Sequence, residues 1–571
     1  MNGPRRADLI GRGILLALTV LVLGPVLLRR GVVLVGDMTF VPHQPWKSAW
    51  LGLDGSVPRA VPADAFVAVL SHLVPGDLLQ KAVLVAILLL AGIGLTRLVA
   101  GLAPRVGRLA GLAGAVLYLW NPYVQERLAI GHWGLLLGYA ALPWVALRAD
   151  ALRRGVPGAW TGVVGWIGLA AIGSPSGAVL AGLVALVMTA GRSAAAARAL
   201  AVVAGALVVL DLPWLLPGML ARGVGTDPAG VSAFAAHADS PLGVLGSLVS
   251  FGGIWKLSIV PGERGAWLLV LLALGVSLSG LVALALDACA RRLLVAGAIG
   301  LALAVVPATG PGSRLVERLV AHVAGAGLLR DSQKWIALLV LAACVGVALA
   351  VDRATRAAVA HGLPGRAVGV VALLAPMVLL PSLAWGLAGR FEPVRFPADW
   401  SAAARVLDGV PAAQRRTVVL PFSAYQRLPW NDDRAALDPA IRFFPGQVVT
   451  EDRLVVGGGA AVSGDSPVAA RIGSALAAGA PLGPVLAAEG IRYVLVEKTA
   501  AGAASVPALP GRTIHDGPEI RLVDLQGSAH LERARHGGLI VVGDVAAALL
   551  LSASVTFGAL RRIRRKADQV G

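Results

Sequence analysis

Apolar segments of roughly twenty residues recur along this sequence, and short clusters of arginine stand between them. A helix of that length crosses a hydrocarbon layer about 30 Å thick. Inside such a layer every backbone amide and carbonyl must find its partner within the protein. The chain is therefore committed to helix over most of its length. Composition agrees, with 57% hydrophobic and 14% charged residues, against about 25% charged in soluble domains. A window of roughly 19 residues yields about twelve spans, the first over 10–34 and the last over 538–560.

A net charge of +18 would suit a nucleic-acid-binding protein, but no basic face with interleaved aromatics is present. The arginines instead follow the apolar runs. With twelve spans and a cytoplasmic N-terminus, the clusters at Arg105, Arg153, Arg192, Arg291, Arg353 and Arg561 all fall on one side. Asp37, Glu126, Arg330 and a long polar region fall on the other. Positive charge in short loops marks the cytoplasmic face; Arg29 and Arg30 are the exception. The first run is too long for a signal h-region and lacks a small-residue cleavage site, so it reads as an uncleaved helix. Both termini are expected in the cytoplasm of a multi-pass plasma-membrane protein. Cys289 and Cys344 sit at or inside apolar runs, which implies neither a disulfide framework nor a thiolate metal site.

Three regions follow: transmembrane 1–389, polar 390–537, and a last span with a basic tail, 538–571. In the polar region 417–420, 493–497 and 520–525 read as strands, with helical composition at 468–478 and 482–489, an α/β pattern expected outside the cytoplasm. Gly457 to Gly459 follow an apolar stretch but lack the spacing and lysine of a phosphate loop. The runs 160–173 and 177–190 are short enough to be broken or tilted helices. The amphipathic piece 314–322 should lie along the membrane interface.

The residues with chemistry cluster where apolar runs meet polar loops. The stretch 35–46, Val-Gly-Asp-Met-Thr-Phe-Val-Pro-His-Gln-Pro-Trp, places Asp37 at the end of the first run, with His43 and Trp46 close behind. Asn-Pro-Tyr-Val-Gln-Glu-Arg, 121–127, offers Glu126 and Arg127, and His132 opens the next run. Charge at the edge of hydrocarbon is costly unless paired or useful, so Asp37 and Glu126 are candidate catalytic acids against the plainer reading of hydrated loop carboxylates. Arg330 and Lys334, in Arg-Asp-Ser-Gln-Lys-Trp, are candidate phosphate ligands, or interfacial anchors, as suits Lys334. Arg127 stands to pair with Glu126 or to reach the same phosphate. His43 and His132 are candidate proton carriers or substrate contacts, with no spacing that supports a metal. Asp211 lies inside the seventh run, beside Pro213, as an intramembrane acid. The segment 425–434, Tyr-Gln-Arg-Leu-Pro-Trp-Asn-Asp-Asp-Arg, has the composition of a carbohydrate-binding surface and equally of a turn between strands.

Asp37 after the first helix and Glu126 between the third and fourth resemble the GT-C superfamily of polytopic glycosyltransferases, which use polyprenyl-phosphate-linked sugars. The resemblance is clearest over residues 8–150. It implies a GT-C-like α-helical polytopic fold with a C-terminal extracytoplasmic α/β domain. It also implies transfer of a hexose or pentose from a polyprenyl-phosphate donor to a cell-envelope glycan or lipid acceptor. On that pattern Asp37 is the general base, Arg330 with Arg127 or Lys334 holds the leaving phosphate, and Glu126 orients Arg127 or the acceptor. The family's paired acids are missing from the first loop and the second loop has one acid, so a divalent cation is unsupported and no cofactor is expected. The Ala/Gly/Arg-rich composition is similar to actinobacterial enzymes of cell-wall biogenesis that build arabinan and mannan. Two alternatives compete. A lipid-linked-sugar flippase or transporter would show internal repeats and polar residues through several spans, but only Asp211 and Asp544 are such. A non-catalytic assembly protein of envelope biogenesis would tolerate a degenerate site.

Overall fold

All twelve apolar runs are helical in the computed structural model, which describes residues 3–221, 226–456 and 461–567. Gly457 to Gly459 lie outside the described residues. A long first loop leads from α1 (Gly3–Leu28) to α2 (Gly76–Leu102), and α3 (Arg108–Leu119), α4 (Pro122–Ala129) and α5 (Trp133–Arg153) follow after short turns. α6 (Ala159–Gly173) and α7 (Pro175–Thr189) meet at Ser174, whose hydroxyl accepts from the Gly177 amide at 2.9 Å and caps α7. α8 (Ala194–Leu220), α9 (Trp267–Ala285), α10 (Arg292–Val305), α11 (Gly310–His322), α12 (Ala337–Ala360) and α13 (Gly365–Leu379) complete the run before the polar region.

Seven of the described helices are long and apolar enough to cross a membrane, and nine spans result if each of two bent pairs counts as one. The twelve apolar runs of the sequence thus include several that this length criterion leaves out. At about 1.5 Å per residue, the 12-residue α3 and the 15-residue α6 and α7 fall short of a 30 Å layer. α11 turns 96° away from the helix before it, as its amphipathic pattern predicts. Together these helices make a membrane protein.

The centre of the bundle is the span 332–360, ending in α12, which is 94% buried, whereas the last span is 22% buried. Between helices in lipid the hydrophobic effect contributes little, and close packing of small residues takes over. A Cβ on Gly280 of α9 would stand 2.5 Å from the Ala343 carbonyl oxygen, and one on Gly346 of α12 2.0 Å from that of Gly280. Gly134 and Gly138 of α5 meet Gly173 and Gly177 in the same way.

The polar region folds as a mixed sheet of β1 (Arg416–Leu420), β2 (Gln447–Val449), β3 (Tyr493–Glu497), β4 (Arg512–Asp516) and β5 (Ile520–Asp524), in the order β2-β1-β3-β5-β4. β1 is parallel to β2 and β3, and β5 is antiparallel to β3 and β4. Val419, Tyr493 and Leu495 pack under Trp400 of the helix Ala398–Asp408. Val418, Val494 and Val496 pack against Ile472 and Leu486 of helices Pro467–Ala477 and Leu482–Ala488. Both faces are covered, which explains why β1 and β3 are near-continuous apolar runs. The last span, α14 (Gly537–Ala567), packs on the outside of the bundle against α8 and α6.

The sheet region is bonded to the first loop. Val32 and Val394 exchange two hydrogen bonds of 2.9 Å, the Gly36 amide donates to Ala435 O at 2.9 Å, and the Leu437 amide donates to Gly36 O at 2.8 Å. Arg442 pairs with buried Asp64 at 2.9 Å. At the opposite end of the helices Arg153 and Arg154 meet Asp150, Arg356 meets Asp352 and Arg105 meets Asp287.

The α9–α12 contact makes a paired prediction. Gly280→Ala must push two backbones apart and lowers thermal stability by about 1–3 kcal/mol. Gly275→Ala on the same helix, where a Cβ meets nothing within 4 Å, leaves it within about 0.5 kcal/mol. Tryptophan-fluorescence melting in detergent micelles distinguishes the two; equal melting of both variants would refute the packing assignment.

Candidate active site

Asp37 is held from both sides by backbone that only glycine permits. Gly36 has φ +52°, and a Cβ there would lie 2.0 Å from Ile130 O; Gly131 has φ +87°, and a Cβ would lie 2.3 Å from Val35 O. The two turns therefore touch, and the Asp37 amide donates to Ile130 O at 2.9 Å. On the second turn, α4 starts at Asn121, whose side chain accepts from the Val124 amide at 3.1 Å, with Pro122 in the first position. This short helix presents Glu126 and Arg127 inward, both 0% exposed.

Arg127 organises the centre. Its guanidinium grips Asp331 with two hydrogen bonds, one of 2.9 Å, and donates to Gln333 Oε1. It also donates to His132 Nδ1 at 2.8 Å. An arginine can only donate, so Nδ1 is the acceptor and the ring proton sits on Nε2. That proton is donated to Asp37 Oδ2 at 3.0 Å. The other carboxylate oxygen of Asp37 accepts from the Tyr425 hydroxyl, carried on the sheet region.

These bonds set the charge states. Burial pushes the Asp37 carboxyl up, but the hydrogen bond from His132, the Tyr425 hydroxyl and the nearby Lys256 ammonium outweigh it and hold the group below its ordinary value. Burial and the neighbouring Asp37 carboxylate push the Tyr425 phenol well up, so it remains a donor. Burial would raise Asp331 too, yet the Arg127 guanidinium brings it down to about 2. Glu126 goes the other way. Burial pushes it well up, and Asp239, paired to Arg264 at 2.7 Å, adds to the effect. Both causes favour its protonated form, and Gln333 Nε2 donates to Glu126 Oε2 at 3.0 Å.

A cavity of about 2130 Å³ opens in front of Asp37, and His132, Arg330, Lys334, His43 and Trp46 share its wall. The Asp37 side chain is 41% exposed, and Trp46 is 51% exposed. His43 donates from Nδ1 to Ser71 O at 2.9 Å, leaving Nε2 free to accept. The Lys334 ammonium lies 5.1 Å above the Trp335 ring. Among the described residues neither it nor Arg330 makes a side-chain hydrogen bond or ion pair.

Three expectations change. Glu126 and Arg127 do not reach the cavity. Arg127 pairs with Asp331 rather than with Glu126, and the two meet only through Gln333, which accepts from Arg127 and donates to Glu126. Asp211 is bonded by Trp214 Nε1 at 3.1 Å on α8, and Trp214 rather than Asp211 meets the cavity. Tyr425, Asp331, Gln333 and Lys256 were not singled out. The first three stood inside quoted segments, while Lys256 carries no local signal. Among the described residues no group of three or more His, Cys, Asp or Glu side chains could hold a metal.

Comparison with family models and with curated protein sequences finds no match. Among solved structures, a cryo-EM structure of the arabinofuranosyltransferase AftD from Mycobacteria aligns with 92% of this chain at a TM-score of 0.58 and 17% identity. A mutant form of the same enzyme aligns with 93% at the same TM-score. The chain shares the fold of the aligned part of that structure. It spans 40–42% of the length of AftD, so the likeness is to part of that larger enzyme.

The site separates its two buried acids. Glu126→Gln reproduces the shape and bonding of the protonated acid and leaves the melting temperature unchanged at pH 7. Asp331→Ala strands a buried guanidinium and costs about 3–5 kcal/mol. Because Asp331 is depressed in the fold, its contribution is present above the ordinary aspartate range of about 3.9. It is lost as pH falls toward about 2. Melting curves of both variants against pH test this; an Asp331→Ala protein as stable as the parent would rule out the anchoring role.

Proposed function

We propose that this protein is an inverting membrane glycosyltransferase that moves a sugar, a pentose by analogy with AftD, from a polyprenyl-phosphate donor to a cell-envelope glycan. The observation that carries the reading is Asp37: an ionised carboxylate, held by two donors, facing a cavity large enough for a lipid-linked sugar and a glycan end, with unpaired cations on the same wall.

In this reading the acceptor hydroxyl lies within hydrogen-bond reach of Asp37. Its oxygen attacks the anomeric carbon from the face opposite the lipid phosphate. The carbon–oxygen bond to phosphate breaks, the hydroxyl proton passes to Asp37, and the configuration inverts. The transition state resembles an oxocarbenium ion, as in glycoside hydrolysis, so the hydroxyl loses its proton late and a carboxylate of low basicity suffices. Lys334, on the same cavity wall, neutralises the departing phosphate. His132 and Tyr425 position the carboxylate and keep it ionised.

Sidedness follows from charge. The arginine clusters lie at the end of the helices away from Asp37, and short basic loops mark the cytoplasm. This supports an extracytoplasmic cavity and sheet region, where a lipid-linked donor is accessible and a cytosolic nucleotide sugar is not.

Reconstitution in proteoliposomes with a synthetic polyprenyl-phosphate arabinofuranose tests the reading. Asp37→Asn lowers transfer by about 10²–10⁴-fold at normal protein level; full activity in that variant would remove Asp37 as the base. The pH profile adds a signed prediction. Since His132 and Tyr425 lower the Asp37 pKa, the acid limb of kcat/KM lies below the ordinary carboxylate range. His132→Ala and Tyr425→Phe each move that limb to higher pH. A limb that stays in place in both variants would contradict the assignment.

A further inference from the structure

On the Tyr425 side of Asp37 the cavity wall carries a second set of charges that the mechanism does not use. Arg59, from the first loop, pairs with Asp465 at 2.9 Å and with Asp452 at 3.1 Å. The Asp465 side chain is 7% exposed, and its Oδ1 has no hydrogen-bond partner. Arg330 lines the same cavity within electrostatic reach of this pair. The charges around its guanidinium are those of Asp465, Arg59 and Asp227. Asp227 is fixed in turn by the amides of Ala229 at 2.9 Å and Ser463 at 2.8 Å. Arg59, Arg330 and Asp465 line the same cavity as Asp37.

The mixture of signs selects the ligand. A phosphate beside Arg330 would meet the Asp465 carboxylate. A metal ion beside Asp465 would meet two guanidinium groups. A neutral polyol suits both, because each hydroxyl donates to a carboxylate and accepts from a guanidinium.

We infer that Arg330, Arg59 and Asp465 form the subsite for the acceptor, binding a neutral carbohydrate through neighbouring hydroxyls. The role rests on the glycosyltransferase reading, and it moves Arg330 from the leaving phosphate to the acceptor. Three separate stretches build this wall: the first loop, the turn before α12 and the sheet region.

The experiment measures binding to the full chain in nanodiscs with two probes, an arabinofuranosyl oligosaccharide and farnesyl phosphate. Arg330→Gln and Asp465→Asn are expected to weaken the oligosaccharide by about tenfold or more each, with farnesyl phosphate affinity unchanged. Arg330 has no ion pair to lose among the described residues, so that variant keeps the fold where Asp465→Asn disturbs Arg59. Weakened farnesyl phosphate with unchanged oligosaccharide would return Arg330 to the phosphate and overturn the inference. Unchanged binding of both probes, or no oligosaccharide binding by the parent protein, would also overturn it. Failure of the glycosyltransferase reading shows elsewhere: the oligosaccharide binds through Arg330, and Asp37→Asn transfers sugar as the parent does.

Discussion

The buried contact between Arg127 and Asp331 is the interaction on which the site depends. A guanidinium with no exposed surface is tolerated only where its donors are used. Here Asp331, Gln333 and His132 use them. Asp331 and Gln333 stand at the entrance to the central helix α12, and His132 stands at the entrance to α5. The pair therefore sets how two helices begin relative to each other. It also fixes the tautomer of His132 and so decides that Asp37 receives a proton donor rather than a competing acceptor.

A second dependence ties the membrane helices to the sheet region. The first loop exchanges backbone hydrogen bonds with 394 and with 435–437, and Tyr425 reaches Asp37 from the same side. Neither part makes the site by itself. The bundle supplies the carboxylate, the histidine and the cations, and the sheet region supplies the phenol that completes the carboxylate's hydrogen bonds.

Most of the helical architecture was legible in the sequence, because a long apolar run has few outcomes in a membrane. The number of crossings was not. The runs in α3, α6 and α7 are apolar enough to count, and only the folded structure shows how short their helices are. Asp37, His132, Arg330 and Lys334 could be picked out because each stands at the end of an apolar run, where charge is costly. Glu126 stood in the same kind of place, yet burial by the fold raises its pKa, and Asp239, far along the chain, adds to the effect. Arg59, Lys256 and Tyr425 occupy ordinary loop sequence. Their roles come from what the fold places opposite them, which no local pattern records.

The central claim is that Asp37 and Lys334 face one substrate across one cavity. Cryo-EM of the protein with a polyprenyl phosphonate sugar analogue tests it most directly. The account predicts the phosphonate beside Lys334, the anomeric carbon turned toward the acceptor side of Asp37, and the Tyr425 and His132 bonds retained. An analogue seated away from Asp37, or at the opposite end of the helices among Arg105 and Arg353, would contradict it.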